Sequence, residues 1–225
     1  MPTLVIANKC YSSWSLRPWL LMKQLGVAFD EIMIPLDLPD TKEKVLRHSP
    51  AGKVPILIDG RATVWESLAI MEYVSETFAP AWPEDREARA MARSVAAEMH
   101  AGFMALRSAC PMNLGKKYAS KDRGEAVARD VARFSEIVRQ ARERFGAGGP
   151  FLFGAFSAAD AMYAPLATRL ETYSIALDRE TRAYVDAILS LPAFQEWRSE
   201  ALKESWIVDA DEADEEPIEN YRNAA

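Results

Sequence analysis

The stretch Ser49-Pro50-Ala51-Gly52-Lys53-Val54-Pro55-Ile56-Leu57-Ile58-Asp59 limits this chain more than any other. Ser49 to Gly52 is turn chemistry, with proline fixing φ and glycine accepting left-handed backbone. Ile56-Leu57-Ile58 is a short apolar run with β-branched ends and reads as a buried strand. Pro55 sits at the joint, where a missing N–H need not be paired. Two readings of Val54-Pro55 stay open from local chemistry. A trans proline simply starts the strand. A cis proline kinks the chain and leaves the Val54 N–H and C=O free for an extended peptide.

The segments on either side fix the layout. Thr3 to Ala7 reads as a central strand, and Tyr11-Ser12-Ser13-Trp14-Ser15-Leu16-Arg17 leads into a helix that stops at Gly26. Phe29 to Leu36 reads as a second strand, and Asp59-Gly60 between two apolar runs as a hairpin. Glu66-Ser67 opens a further helix that runs to Phe78. The order βαβ, hairpin, helix gives a mixed four-stranded sheet of α/β, thioredoxin-like type. Phe78 to Pro83 carries two prolines and reads as a break. This sets a first domain at residues 1–79, a linker at 80–84 and an all-α domain over 85–225. Within the latter, one long helix is expected from Asp85 to Ala109 and another from Asp122 to Phe145. Ser157-Ala158-Ala159-Asp160 is a capping-box variant ahead of a third helix. Asp160 can also be read as a catalytic carboxylate. The acidic run from Asp209 to Pro217 reads as a mobile tail.

Composition excludes several classes. A formal net charge of −6 argues against nucleic acid or anionic membrane as main partner. No apolar run approaches the ~18 residues of a membrane span. Two cysteines, Cys10 and Cys110, are too few for a disulfide framework and form no C-x-x-C pair. No metal-ligand spacing stands out. With no secretory leader pattern, a reducing cytoplasm is the expected home.

The serine segment, the Gly52-Lys53-Val54-Pro55 turn and the Glu66-Ser67 pair, in this order and spacing, resemble the cytosolic glutathione transferases over essentially the whole chain. Ser12-Ser13-Trp14-Ser15-Leu16-Arg17 is similar to the zeta-class motif Ser-Ser-Cys-x-x-Arg, with Trp14 in the cysteine's place. A bulky indole there narrows the electrophile pocket. Phe153-Gly154 through Ser157 and Asp160 matches the family's capped helix. The resemblance implies an enzyme that activates the thiol of glutathione, its co-substrate, for attack on a small hydrophobic electrophile. The outcome would be conjugation, isomerisation or peroxide reduction, by a homodimer. Ser12 would be the thiolate's hydrogen-bond donor, with Ser13 the close second and Ser15 a capping or first-turn residue. Lys53, Val54, Pro55, Glu66 and Ser67 would hold glutathione: Val54 by its main chain, Glu66 and Ser67 at the γ-glutamyl end, Lys53 at the glycyl carboxylate. Met99, Phe103 and Tyr118 would line the second-substrate site. Two alternatives belong beside this one: a non-enzymatic binding or regulatory relative, and a thiol transferase using Cys10.

Overall fold

The computed structural model describes residues 1–224. Strands β1 (Thr3–Ile6), β2 (Asp30–Met33), β3 (Ile56–Asp59) and β4 (Ala62–Trp65) form one sheet in the order β2-β1-β3-β4. β1 and β2 are parallel, joined through helix α1 (Ser13–Gln24), as a parallel pair requires. β3 runs antiparallel to both β1 and β4, with Val5 opposite Ile56 and Asp59 opposite Ala62. Gly60, at φ 56°, supplies the left-handed residue of the hairpin.

Alternation along β1 divides the core. Leu4 and Ile6 face α1 and α3 (Ser67–Thr77), where Leu16, Leu20, Ile70 and Val74 are fully buried. Each such side chain is worth about 1.5–3 kcal/mol of transfer free energy. Val5 faces the other way, onto Ile34, Ile56 and Val45 of the short helix α2 (Thr41–Leu46).

The remaining helices are α4 (Arg86–Ala101), α5 (Met104–Ala109), α6 (Glu125–Phe145), α7 (Ala158–Thr172), α8 (Arg179–Leu189) and α9 (Pro192–Lys203). The axis of this half is α7, which is buried along nearly its whole length. A helix apolar on every side belongs inside the protein, and α7 packs against α1, α4 and α8. Its start is fixed by the expected capping box. The Asp160 carboxylate accepts from the Ser157 N–H (2.8 Å), the Ser157 hydroxyl (3.0 Å), the Leu152 N–H (3.1 Å) and the Tyr184 hydroxyl (3.1 Å). Asp160 is fully buried and borders none of the clefts described below, so its role is structural. α1 meets α9 through the edge-to-face pair Trp19–Trp197, with ring centres 5.0 Å apart.

Two expectations fail. The helix expected over Asp85–Ala109 is broken at Gly102-Phe103, where Phe103 takes φ 59° and a Cβ on Gly102 would sit 2.8 Å from the Glu98 carbonyl oxygen. The break turns α5 away from α4. The acidic tail is fastened rather than free. Glu204 accepts from the Lys9 and Cys10 N–H groups at 2.6 and 3.1 Å. Glu212 takes the Tyr11 hydroxyl and Lys116, and Glu215 takes Lys121 and Arg123. β5 (Lys116–Lys117) and β6 (Glu219–Asn220) then pair in a small antiparallel ladder.

Candidate functional site

The site is built where the mouth of α1, the turn before β3 and the start of α3 meet α5 and α7. Ser12 is the N-cap of α1. Its oxygen accepts from the Ser15 N–H at 3.4 Å, and its hydroxyl donates to Ser15 Oγ at 2.7 Å. Ser15 Oγ in turn accepts the Ala7 N–H at 3.2 Å. Hydroxyl protons rotate to suit their partners. The Ser12–Ser15 pair can therefore reverse when a third atom approaches, Ser15 donating to Ser12 and the Ser12 proton turning to that atom. Ser13 Oγ has no hydrogen-bond partner among the described residues. Both Ser12 and Ser13 border a cleft of about 720 Å³ between the two halves of the molecule.

The Val54-Pro55 bond is cis. Neither the Val54 N–H nor its C=O is hydrogen-bonded within the described residues. Val54 borders the large cleft and also an adjoining pocket of about 230 Å³, lined by Trp14, Lys53, Pro55, Trp65, Glu66 and Ser67. Glu66 caps α3 from a left-handed backbone, φ 68°, a conformation that costs a non-glycine residue about 1–3 kcal/mol and gathers at binding sites. Its carboxylate lies 3.8 Å from His100 Nε2. Burial and the charge of Arg17 push the His100 imidazolium down from its ordinary range, so the ring is neutral near pH 7. Ser67 is fully buried, yet its hydroxyl has no partner among the described residues. An unpaired buried hydroxyl costs about 1–3 kcal/mol unless a ligand takes it up. Lys53 is exposed and reaches both cavities. All seven expected site residues thus converge on two joined cavities.

The expected second-substrate lining does not. Met99, Phe103 and Tyr118 are buried in the core. The helical wall of the cleft comes instead from Met104, Arg107 and Ser108 of α5, from Arg169 of α7, and from Asp211. The break at Gly102-Phe103 starts the separate helix α5, and it is this helix that presents Met104, Arg107 and Ser108 to the cleft. Nor is that wall apolar, as expected. Cys10 is fully buried, borders neither cavity and donates to Asn113 Oδ1 at 3.6 Å. Burial pushes its thiol up, the wrong direction for a nucleophile.

A sheet of this topology, an adjoining helical half and a cleft between them define the glutathione transferase architecture. Family models agree in both halves: the glutathione S-transferase N-terminal domain matches residues 11–77 and the C-terminal domain residues 124–200. The chain belongs to the glutathione S-transferase family. A dichloromethane dehalogenase of Methylorubrum extorquens is 42% identical over 59 residues, which is 25% of this chain and 20% of that protein. A probable maleylacetoacetate isomerase of Caenorhabditis elegans is 31% identical over 109 residues, 48% of this chain and 50% of that one. The chain therefore spans half or less of these curated relatives' length. A solved glutathione transferase homologue from Burkholderia, with bound glutathione, superposes with a TM-score of 0.66 at 23% identity, covering 89% of this chain and 97% of that one.

Proposed function

We propose that the chain is a serine-type glutathione transferase, divided into a glutathione-binding domain at residues 1–79, a linker at 80–84 and a helical domain beyond. The observation that carries this reading is a pair of unmet polar groups on one small pocket: the bare main chain of Val54 and the orphan hydroxyl of buried Ser67. Glutathione supplies partners for both. Its cysteinyl unit lies along Val54 as an added strand. Its γ-glutamyl carboxylate takes the Ser67 hydroxyl and the N–H groups opening α3, and its ammonium faces Glu66. Lys53 meets the glycyl carboxylate.

This seating brings the sulfur to the mouth of α1. The Ser12 hydroxyl, itself accepting from Ser15, donates to the sulfur and favours the anion. The thiol proton leaves to water. The thiolate's electron pair then forms the carbon–sulfur bond as the electrophile's leaving group departs with its own pair. His100 is not needed as a base. In this reading the protein acts as a homodimer in the cytoplasm.

Calorimetric titration with glutathione, followed by turnover of an aryl halide, tests the reading. Saturable binding that weakens about tenfold in Ser67→Ala supports it. No binding overturns it. Binding without turnover of any electrophile in a broad panel favours the non-enzymatic alternative.

A further inference from the structure

Arg17, Arg107 and Arg169 come from three helices and gather behind and along the helical wall of the large cleft. The Arg17 and Arg107 guanidiniums lie over the Trp14 ring, 4.2 and 4.6 Å from its centre. Arg169 is almost wholly buried. It is aimed by donating to the Cys110 carbonyl at 2.8 Å and the Pro165 carbonyl at 3.2 Å. Arg107 makes only two long contacts, to the His100 and Gly102 carbonyls at 3.5 and 3.4 Å. None of the three has a carboxylate within 4.0 Å among the described residues, although seventeen other lysine or arginine ion pairs are formed there. Arg17 is 1% exposed, and its Nε and Nη1 have no hydrogen-bond partner among the described residues. Like charges collected in a poorly solvated place repel, and burial and that repulsion push the Arg17 guanidinium well down. Buried charges are ordinarily paired. Here the nearest carboxylate is Asp211, which shares the cleft and acts on Arg169 from beyond ion-pair distance, and Arg17 and Arg107 have no carboxylate partner among the described residues.

We infer that Arg107 and Arg169 receive a carboxylate carried by the second substrate, with Arg17 adding positive potential through Trp14, so that the enzyme acts on acidic rather than neutral electrophiles. This rests on the glutathione reading above. The planar fork of arginine suits a two-oxygen anion. The tripeptide's own carboxylates are a second source of that chemistry. The small pocket along Val54, Glu66 and Ser67 contains neither Arg107 nor Arg169 in its lining. Both arginines stand across the cleft, on the side open to the second substrate.

The test uses the full chain with para-toluate and its methyl ester, which differ in charge and little in shape. Binding is followed by ligand-observed NMR with and without glutathione. The acid is expected to bind about tenfold or more tightly than the ester, with Arg107→Gln and Arg169→Gln each removing most of that preference and Arg107→Lys restoring part of it. Saturating glutathione should leave the acid bound. In turnover, para-(chloromethyl)benzoate should exceed its methyl ester in kcat/KM, the difference residing in KM. Equal binding of acid and ester overturns the inference, as does a preference that survives in both variants. Displacement of the acid by glutathione, or a variant that weakens glutathione while sparing the acid preference, gives the arginines to the tripeptide and also overturns it. If Arg169→Gln does not fold, Arg107→Gln decides alone. Failure of glutathione to bind sinks the functional reading separately, because the para-toluate titration needs no glutathione.

Discussion

Replacing Ser12 by alanine deletes one hydroxyl from the mouth of α1, and its effect can be worked through. A free thiol of this type ionises near pH 8.5. A hydrogen bond to a charged acceptor is worth about 1.5–3 kcal/mol, and one pH unit corresponds to about 1.4 kcal/mol, so the lost bond raises the bound thiol by about 1–2 units. At a pH below the thiol's midpoint the rate follows the thiolate fraction, and kcat/KM should fall about 10- to 100-fold. The structural penalty is smaller. The cap contact from Ser15 N–H to Ser12 Oγ is long, 3.4 Å, which puts its loss at the low end of the range for caps, about 0.5–1 kcal/mol. Ser15→Ala keeps the Ser12 hydroxyl but removes the proton donated to it, so the thiol should rise by about half a unit. Ser13→Ala should change little. The thiolate's ultraviolet absorbance, titrated on the protein–glutathione complex, reads all three directly, and the pH profile of kcat/KM reads them again. A Ser12→Ala protein whose bound thiol shifts by less than about 0.3 unit refutes the assignment. If Ser13→Ala then shows the missing rise, the donor is Ser13; if neither does, serine activation is wrong.

Other outcomes follow from the same geometry. Asp160→Ala strips four donors of their acceptor in the dry end of α7, and urea unfolding should register a loss of about 4–6 kcal/mol, with Asp160→Asn intermediate; a loss under about 1 kcal/mol would contradict the buried network. Burial pushes the Asp211 carboxyl up to about 6, with Asp37 and Glu212 adding to the rise and Arg169 opposing it. Its folded value lies above the unfolded one, so the native state holds the extra proton between about pH 4 and 6, and stability from this group falls as pH climbs through that window. Asp211→Asn should therefore exceed the parent in thermal stability at pH 7.5 and match it near pH 4; the opposite order would refute the assignment. Cys10→Ala should leave the pH profile of turnover in place, and abolished activity would revive the thiol-transferase alternative.

The parts legible in the sequence are those whose causes are local. Pro55, Gly60 and the Ser157–Asp160 spacing each dictate backbone within a few residues, so the start of the third strand, the hairpin and the capped α7 could be read directly. The Ser12, Val54 and Ser67 positions are likewise tied to element ends that turn chemistry marks. Gly102 lay inside an amphipathic pattern whose period continues on both sides, which hid the break and misplaced the cleft lining onto Met99 and Phe103. The tail misled through composition: Asp209 to Pro217 reads as solvated because its partners, Lys116, Lys121, Arg123 and the Lys9–Tyr11 loop, lie far away along the chain. The three arginines were invisible as a group for the same reason. No periodicity links Arg17, Arg107 and Arg169, and only the packing of α1, α5 and α7 brings them together.

The fastening of the Lys9–Tyr11 loop by Glu204 and Glu212 has a consequence for synthesis on the ribosome. The four strands of the sheet are encoded early, ending at Trp65. The backbone just ahead of the serine cluster acquires its acceptors only after more than 190 further residues have been added. A chain stalled before Glu204 would lack the acceptors of the Lys9 and Cys10 N–H groups and of the Tyr11 hydroxyl, so the loop leading into the serine cluster is tied down last of all.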